Sequence, residues 1–245
     1  MYNQDDYQLN YQKLTFEDKL RKYRMEYIVD YFGTIKSDKI LEIGCGNDPI
    51  FACYDDYKVM DIIEPGNFFY EDTKSKIGND GRISITKGFI EESHSKLSND
   101  YDVIVIGGFL HEIDNPEEVL AAVKKIASPS TVVITYVPNA NSFHRLLAFE
   151  SGLIKSNYEF SENDKLFGRR NVFNIQSITS LFITSGYSVL TTDTYFIKPF
   201  THEQMDSLLG LSFFTNEILY GLFKMTKYMP DMGCEIFLAA NAVIS

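Results

Sequence analysis

Lys39-Ile40-Leu41-Glu42-Ile43-Gly44-Cys45-Gly46-Asn47-Asp48-Pro49 decides how this chain folds. Its first half, Ile40 to Ile43, reads as a short apolar strand, and it runs straight into two glycines. A strand that stops at Gly-x-Gly and hands over to a helix start makes a cradle for a nucleotide-like ligand, because bare backbone lets the ligand approach closely. Asn47 or Asp48 is placed to cap the next helix, with Pro49 at its first position, where a missing N–H costs nothing. Asp55 and Asp56 keep that helix short.

Working outward, strand and helix signals alternate. Lys58 to Glu64 reads as a second strand closed by Pro65-Gly66, Phe68 to Ile77 as a helix, and Arg82 to Thr86 as a third strand. Tyr101 to Gly107 is a fourth, and its continuous run Val103 to Ile106 is that of a strand buried on both faces. Asn115-Pro116-Glu117-Glu118 opens a helix, with a cap, a first-position proline and acids in the first turn. Thr131 to Val137 is a fifth strand. Upstream, Thr15 to Phe32 is helical, capped by Thr15, with Phe16, Leu20, Tyr23, Tyr27, Ile28 and Tyr31 in one stripe. Residues 1–14 form a Tyr-rich arm ahead of it.

The rhythm then breaks. Residues 138–174 hold no clear strand, and Asn141 is placed to cap a helix from Ser142 to Glu150. A helix from Ile175 to Ser185 and a strand from Tyr187 to Phe196 follow. Residues 199–230 form a second irregular, largely helical insertion rich in Leu and Phe, suited to roofing a site, to a dimer contact, to touching a membrane surface (weakly, since it has few cations) or to packing on the sheet. Cys234 to Ile244 is the last strand. The fold class is therefore α/β: one Rossmann-like domain with a mostly parallel seven-stranded sheet, helices on both faces, a final antiparallel strand and two insertions over the C-terminal edge.

The 245 residues suit one large domain, and a net charge of -11 argues against a nucleic-acid partner. Three cysteines without a framework spacing read as free thiols, and with a polar N-terminus they make the cytoplasm the expected compartment. No apolar run is long enough for a membrane span.

Glu64 stands 20 residues after Gly44, at the end of the second strand, where a carboxylate can accept from both hydroxyls of a ribose. A dinucleotide site wants a third glycine at position 49, which here is Pro49. Glu42 suits a ligand with an ammonium group. These features favour S-adenosylmethionine over a nicotinamide dinucleotide, so a nicotinamide-dependent oxidoreductase is the alternative.

At this point the chain resembles class I S-adenosylmethionine-dependent methyltransferases. Ile40 to Gly46 is similar to their glycine motif and Ile63-Glu64-Pro65 to their ribose strand end. Lys87-Gly88-Phe89-Ile90 falls where the family caps the adenine, with Phe89 at the place of the usual Asp. Tyr101 to Ile106, Leu110-His111-Glu112-Ile113 and Asn115 to Leu120 are similar to the fourth strand and its helix. The resemblance implies that Glu42, Gly44, Gly46, Glu64, Phe89, Ile90 and Gly107 hold the cofactor, with S-adenosylhomocysteine as product. It implies a small-molecule acceptor, and it extends to methyltransferases of bacterial capsule and glycan pathways, among them ones for phosphoramidate or sugar acceptors. A non-catalytic methyltransferase-like partner subunit is a further alternative, and a homodimer is open.

Acceptor chemistry is carried by other residues. His111, four positions beyond Gly107, is the candidate general base. Glu112 beside it does not make a metal site, because the second histidine that a zinc protease needs falls on Asn115. His144 and Arg145 lie on the helix of the first insertion. Arg169 and Arg170 follow Phe167-Gly168, and Arg169 stands where related methyltransferases carry a His. Adjacent guanidiniums point to an anionic acceptor, a phosphate-like or carboxylate group. The expected reaction is in-line methyl transfer to an oxygen of a small anionic or sugar-like acceptor.

Overall fold

The computed structural model describes residues 15–161, 164–165 and 168–243. The proposed arm of residues 1–14, the Thr15 cap, Phe167 and the last residue of the expected final strand, Ile244, fall outside what is described. The described strands are β1 Lys39–Ile43, β2 Val59–Glu64, β3 Ile83–Lys87, β4 Val103–Ile106, β5 Val132–Pro138, β6 Tyr187–Tyr195 and β7 Glu235–Ala242. The described helices are α1 Thr15–Phe32, α2 Asn67–Ile77, α3 Ile90–Ser93, α4 Pro116–Lys124, α5 Phe143–Glu150, α6 Ile175–Thr184, α7 His202–Leu209 and α8 Asn216–Lys224.

The seven strands form one sheet in the order β3-β2-β1-β4-β5-β7-β6. β1 to β5 pair in parallel, and β7 runs antiparallel to both β5 and β6. The chain leaves β1 toward β2 and β3, then returns to lay β4 on the other side of β1. That reversal opens a crevice at the C-terminal ends of β1 and β4.

Period-two alternation sorts the core onto two faces. Leu41, Ile43, Ile104 and Ile106 pack on one face with Leu120 and Val123 of α4 and Ile178 and Phe182 of α6. Ile40, Val103, Val105 and Phe237 pack on the other with Phe16, Leu20, Ile28 and Phe32 of α1, Met205 of α7 and Leu219 of α8. The four α1 side chains are at most 2% exposed. Their burial is worth on the order of 6–12 kcal/mol of gross transfer free energy, an upper figure before ordering entropy. That is enough to dock a helix that also buries Glu17 and Arg24.

Two local expectations are corrected, and a third holds in position but without its side-chain bond. After the glycine turn there is only a single 3-10 turn, Ile50–Ala52, not an α-helix capped by Asn47 or Asp48. Asp48 instead meets the Arg21 guanidinium at 2.8 Å. The α5 N-cap position is Ser142, while Asn141 accepts from the Asn157 amide at 2.7 Å and so ties the insertion to itself. Asn115 holds the α4 N-cap position without a side-chain cap bond.

The Leu- and Phe-rich second insertion largely packs on the core: Met205 and Leu219 are buried, and Leu208, Leu209, Leu222 and Phe223 lie against them. No helix among the described residues is long and apolar enough to cross a membrane.

Candidate active site

A cavity of about 880 Å³ opens at the crevice. Its walls come from α1, the ends of β1, β2 and β4, the start of α3, α5 and the loop after it, and the segment running from β6 into α7. The volume lies in the range of small-molecule sites.

One half is built on the glycine turn. Gly44 and Gly46 have φ of 75° and 56°, the left-handed region that a side chain resists. A Cβ on Gly44 would stand 2.9 Å from the Phe109 ring. Glu64 lies at the end of β2 with 4% of its surface exposed, and its carboxylate accepts from Gly66 N at 2.8 Å and Gly46 N at 3.3 Å. Burial pushes its pKa up, against those backbone bonds. Phe89 is 56% exposed on the wall, and Ile90 beside it is buried.

Two residues expected to hold a ligand stand behind this wall instead. Glu42 alternates onto the Ile40 face and does not line the cavity. Its Oε2 accepts from Ile50 N at 3.0 Å and so fixes the chain leaving the glycine turn. Burial, with Glu64 and Asp48 nearby, pushes its pKa up to about 8. Gly107 is in contact with the turn itself: a Cβ there would fall 2.2 Å from the Gly44 carbonyl oxygen.

The other half is polar and largely buried. Arg24 on α1 donates to both oxygens of Glu235 and, at 2.9 Å, to Glu17. Its guanidinium lies 5.0 Å from the centre of the Tyr136 ring. Glu235 also accepts from the Tyr195 hydroxyl. Glu17 is 3.0 Å from His202 Nε2, and Lys198 Nζ is 2.9 Å from His202 Nδ1. Burial alone would raise Glu17, but Arg24 and His202 outweigh it and hold the carboxyl well below the usual range.

His111 is 5% exposed and neither ring nitrogen has a hydrogen-bond partner. Burial and the Arg169 charge hold its pKa well below the ordinary value, so the ring is neutral at neutral pH. Glu112 Oε1 is 3.6 Å from its Nε2. His144 also lines the cavity with an unpartnered Nδ1, held neutral by burial and Lys198.

The loop arginines divide. Arg145 donates to the Asn157 carbonyl at 2.7 Å, to the Glu159 carbonyl and to Asp164 at 3.3 Å, which makes it a brace for the loop. Arg169 donates through Nη1 to Asp164, while its Nε is buried without a partner. Arg170 is corrected outright. It is exposed, outside the cavity wall, and 3.4 Å from exposed Asp114. Its backbone N–H bonds the His111 carbonyl, which turns the side chain to the outside.

Sequence reasoning missed Glu17, Arg24, Lys198, His202 and Glu235. One signal was present: Glu17 and Arg24 are seven positions apart within the apolar stripe of α1, where charges belong only if they are paired. Lys198 and Glu235 carried no such signal.

The sequence matches the model of the methyltransferase domain family over residues 17–192. The chain belongs to this family. As a methyltransferase it has S-adenosylmethionine as its methyl donor and S-adenosylhomocysteine as the product form. The residues present fit that group: a glycine turn in left-handed backbone, a buried carboxylate at the neighbouring strand end and an exposed aromatic ring on the same cavity wall.

Among solved structures the chain is similar to an S-adenosylmethionine-dependent methyltransferase from Archaeoglobus fulgidus, at 14% identity and a TM-score of 0.62, covering 96% of this chain and 99% of that one. It is also similar to the plantazolicin methyltransferase BamL in complex with a triazolic desmethylPZN analog and S-adenosylhomocysteine: 14% identity, TM-score 0.63, 98% of this chain and 91% of that one. Against the CurJ carbon methyltransferase the values are 16% and 0.52, with 85% of this chain covered and only 49% of that longer one. At these identities the likeness carries the fold alone. No curated protein sequence matches the chain.

Proposed function

We propose that this methyltransferase acts on an oxygen of a small acceptor, with His111 as the base that takes the hydroxyl proton. The observation that carries the reading is His111 itself: a buried, neutral imidazole in the cavity wall with both nitrogens unpartnered. A neutral imidazole accepts a proton, and Glu112 at 3.6 Å is placed to steady the imidazolium that results. With its pKa depressed the ring is a weak base, so proton removal keeps pace with methyl transfer rather than preceding it. The donor supplies an electrophilic methyl group when bound. The chain's own main contribution is to hold the acceptor oxygen in line with it, an orientation effect worth roughly 7–11 kcal/mol.

On this reading Gly44, Gly46, Glu64, Phe89 and Ile90 hold the cofactor, and Glu42 and Gly107 set the shape of the turn that does so. His144 and Arg169 face the acceptor, and Arg145 braces their loop. The insertions at 138–174 and 199–230 cover the acceptor side, supported by the lining contributed by α5, its following loop, Thr201 and His202.

His111→Gln tests the role. General-base catalysis typically supplies 10²–10⁴-fold, so kcat should fall by about 10²-fold or more while the affinity for S-adenosylhomocysteine holds. Unchanged kcat would overturn the assignment and point to an acceptor that is already ionised. Because burial lowers the His111 pKa, the acid limb of the wild-type rate profile should lie below pH 6.5.

A further inference from the structure

We infer that the acceptor carries an oxyanion, a carboxylate or phosphoryl group, and that Lys198 is its seat, with His144 and the Nε edge of Arg169 completing the cradle. The inference rests on the proposed acceptor half of the cavity and names the chemistry of what binds there.

Lys198 is 4% exposed and lines the cavity. An ammonium has three donors. Here one is taken by His202 Nδ1, and among the described residues Lys198 forms no ion pair. The carboxylates around it are committed elsewhere: Glu17 to Arg24 and His202, Glu235 to Arg24 and Tyr195, Asp164 to Arg169 and Arg145. The nearby Cys234 thiol is pushed up by burial and stays protonated, so it lends no charge. Glu17 and Glu235 favour the Lys198 charge only from a distance, burial outweighs them, and a bound anion would supply the direct counter-charge that is absent.

The same wall holds two further unsatisfied nitrogens, His144 Nδ1 and Arg169 Nε. The Arg169 charge disfavours that of Lys198, and Lys198 in turn disfavours protonation of His144. Arg Nε and an ammonium Nζ can only donate, so a ligand that meets both must offer acceptor lone pairs, which an oxyanion supplies along with the charge.

The backbone supports the placement. Phe196, fully buried, has a φ of 61°, unusual for a bulky residue. Such strain persists where surrounding structure enforces it and gathers at functional sites. It lies two residues before Lys198, where the chain turns from β6 into the cavity. The Phe196 carbonyl is held by Cys234 N at 2.9 Å, and Ile197 N bonds the Leu222 carbonyl at 3.0 Å. The backbone carrying Lys198 is thereby fixed, and the contact with His202 Nδ1 holds its Nζ. The adjacent guanidiniums of Arg169 and Arg170 point to an anion in sequence; on this inference the centre of its site is a lysine outside their loop.

The test uses the full chain saturated with S-adenosylhomocysteine. Acetate and methyl phosphate are titrated in at constant ionic strength, with glycerol as the neutral control, and the unfolding temperature is followed. Wild type should show saturable stabilisation by at least one oxyanion and none by glycerol. Acetate alone identifies a carboxylate acceptor, and methyl phosphate alone a phosphoryl one. Lys198→Met should raise the half-saturating concentration about tenfold or more, and Lys198→Arg should restore it to within a few fold. Affinity for S-adenosylhomocysteine reports that each variant is folded. If Lys198→Met does not fold, His144→Ala should still raise half-saturation several fold. No saturable oxyanion effect in wild type, or equal titrations of wild type and the folded variants, overturns the inference. The readout involves no turnover, so failure of His111 as base and failure of the anion seat are separate results.

Discussion

At the scale of single residues, two positions behind the cavity wall govern it without touching a ligand. Gly107 and Gly44 meet backbone to backbone, and a Cβ on Gly107 would sit 2.2 Å from a carbonyl oxygen that no rotamer change can move. Gly107→Ala should therefore cost about 1–3 kcal/mol and weaken S-adenosylhomocysteine binding, because the glycine turn must shift. Gly81→Ala, where a Cβ meets nothing within 4 Å, is the matched control and should leave both unchanged. Calorimetry of the two variants decides it.

Glu42 makes a prediction about pH. Its pKa is raised from 4.5 to about 8, so the folded state holds a proton that the unfolded state gives up sooner. The stability it contributes is fully present below about pH 4.5 and is lost as pH rises through about 8. The loss is on the order of 5 kcal/mol at one pKa unit per 1.36 kcal/mol. Glu42→Gln still offers Ile50 N an acceptor and cannot ionise. It should gain stability over wild type in urea unfolding at pH 8.5 and show a flatter profile below it.

At the scale of elements, α1 is more than a helix packed on the sheet. Its stripe was legible from Phe16, Leu20 and Ile28, whose spacing fits only a helix. That it walls the active cavity was not, because the partners of Glu17 and Arg24 lie about two hundred residues away in α7 and β7. Arg24→Met would leave Glu17 and Glu235 buried without their cation and should cost about 3–5 kcal/mol. Combining it with Glu235→Gln should recover part of that loss, since one of the two stranded charges is then gone. Guanidinium unfolding of the single and double variants measures the coupling. The arginine loop shows the reverse error: Arg169-Arg170 looks like one feature in sequence, yet alternate backbone directions send one guanidinium inward to Asp164 and the other out to Asp114.

At the scale of the molecule, titrating groups on both halves of the cavity bracket the pH of maximum stability. His111, His144 and His202 all have depressed pKa values, with burial as the leading cause. Their neutral forms are favoured in the fold, so stability is present above about pH 6.5 and falls below it as the unfolded chain takes up protons. Glu17 and Asp164, held low by their cations, add to the loss at lower pH. Glu42 and Glu64 remove stability from the alkaline side. A melting-temperature scan should peak near neutrality, and His144→Gln should soften the acid side.

The sequence by itself determined the layered architecture, the succession of strands and helices up to β5 and the glycine turn with its Glu64 carboxylate. Those features are written in local periodicity, in residues that stop strands and in a fixed spacing along a crossover unit. Only the tertiary structure decided the polar half of the cavity. Lys198, His202, Glu235 and Arg24 come from four separate elements, and whether each is an anchor, a brace or a spectator depends on which charges burial has already paired. No pattern along the chain records that pairing, because it is a property of distances between segments and of the water excluded from between them.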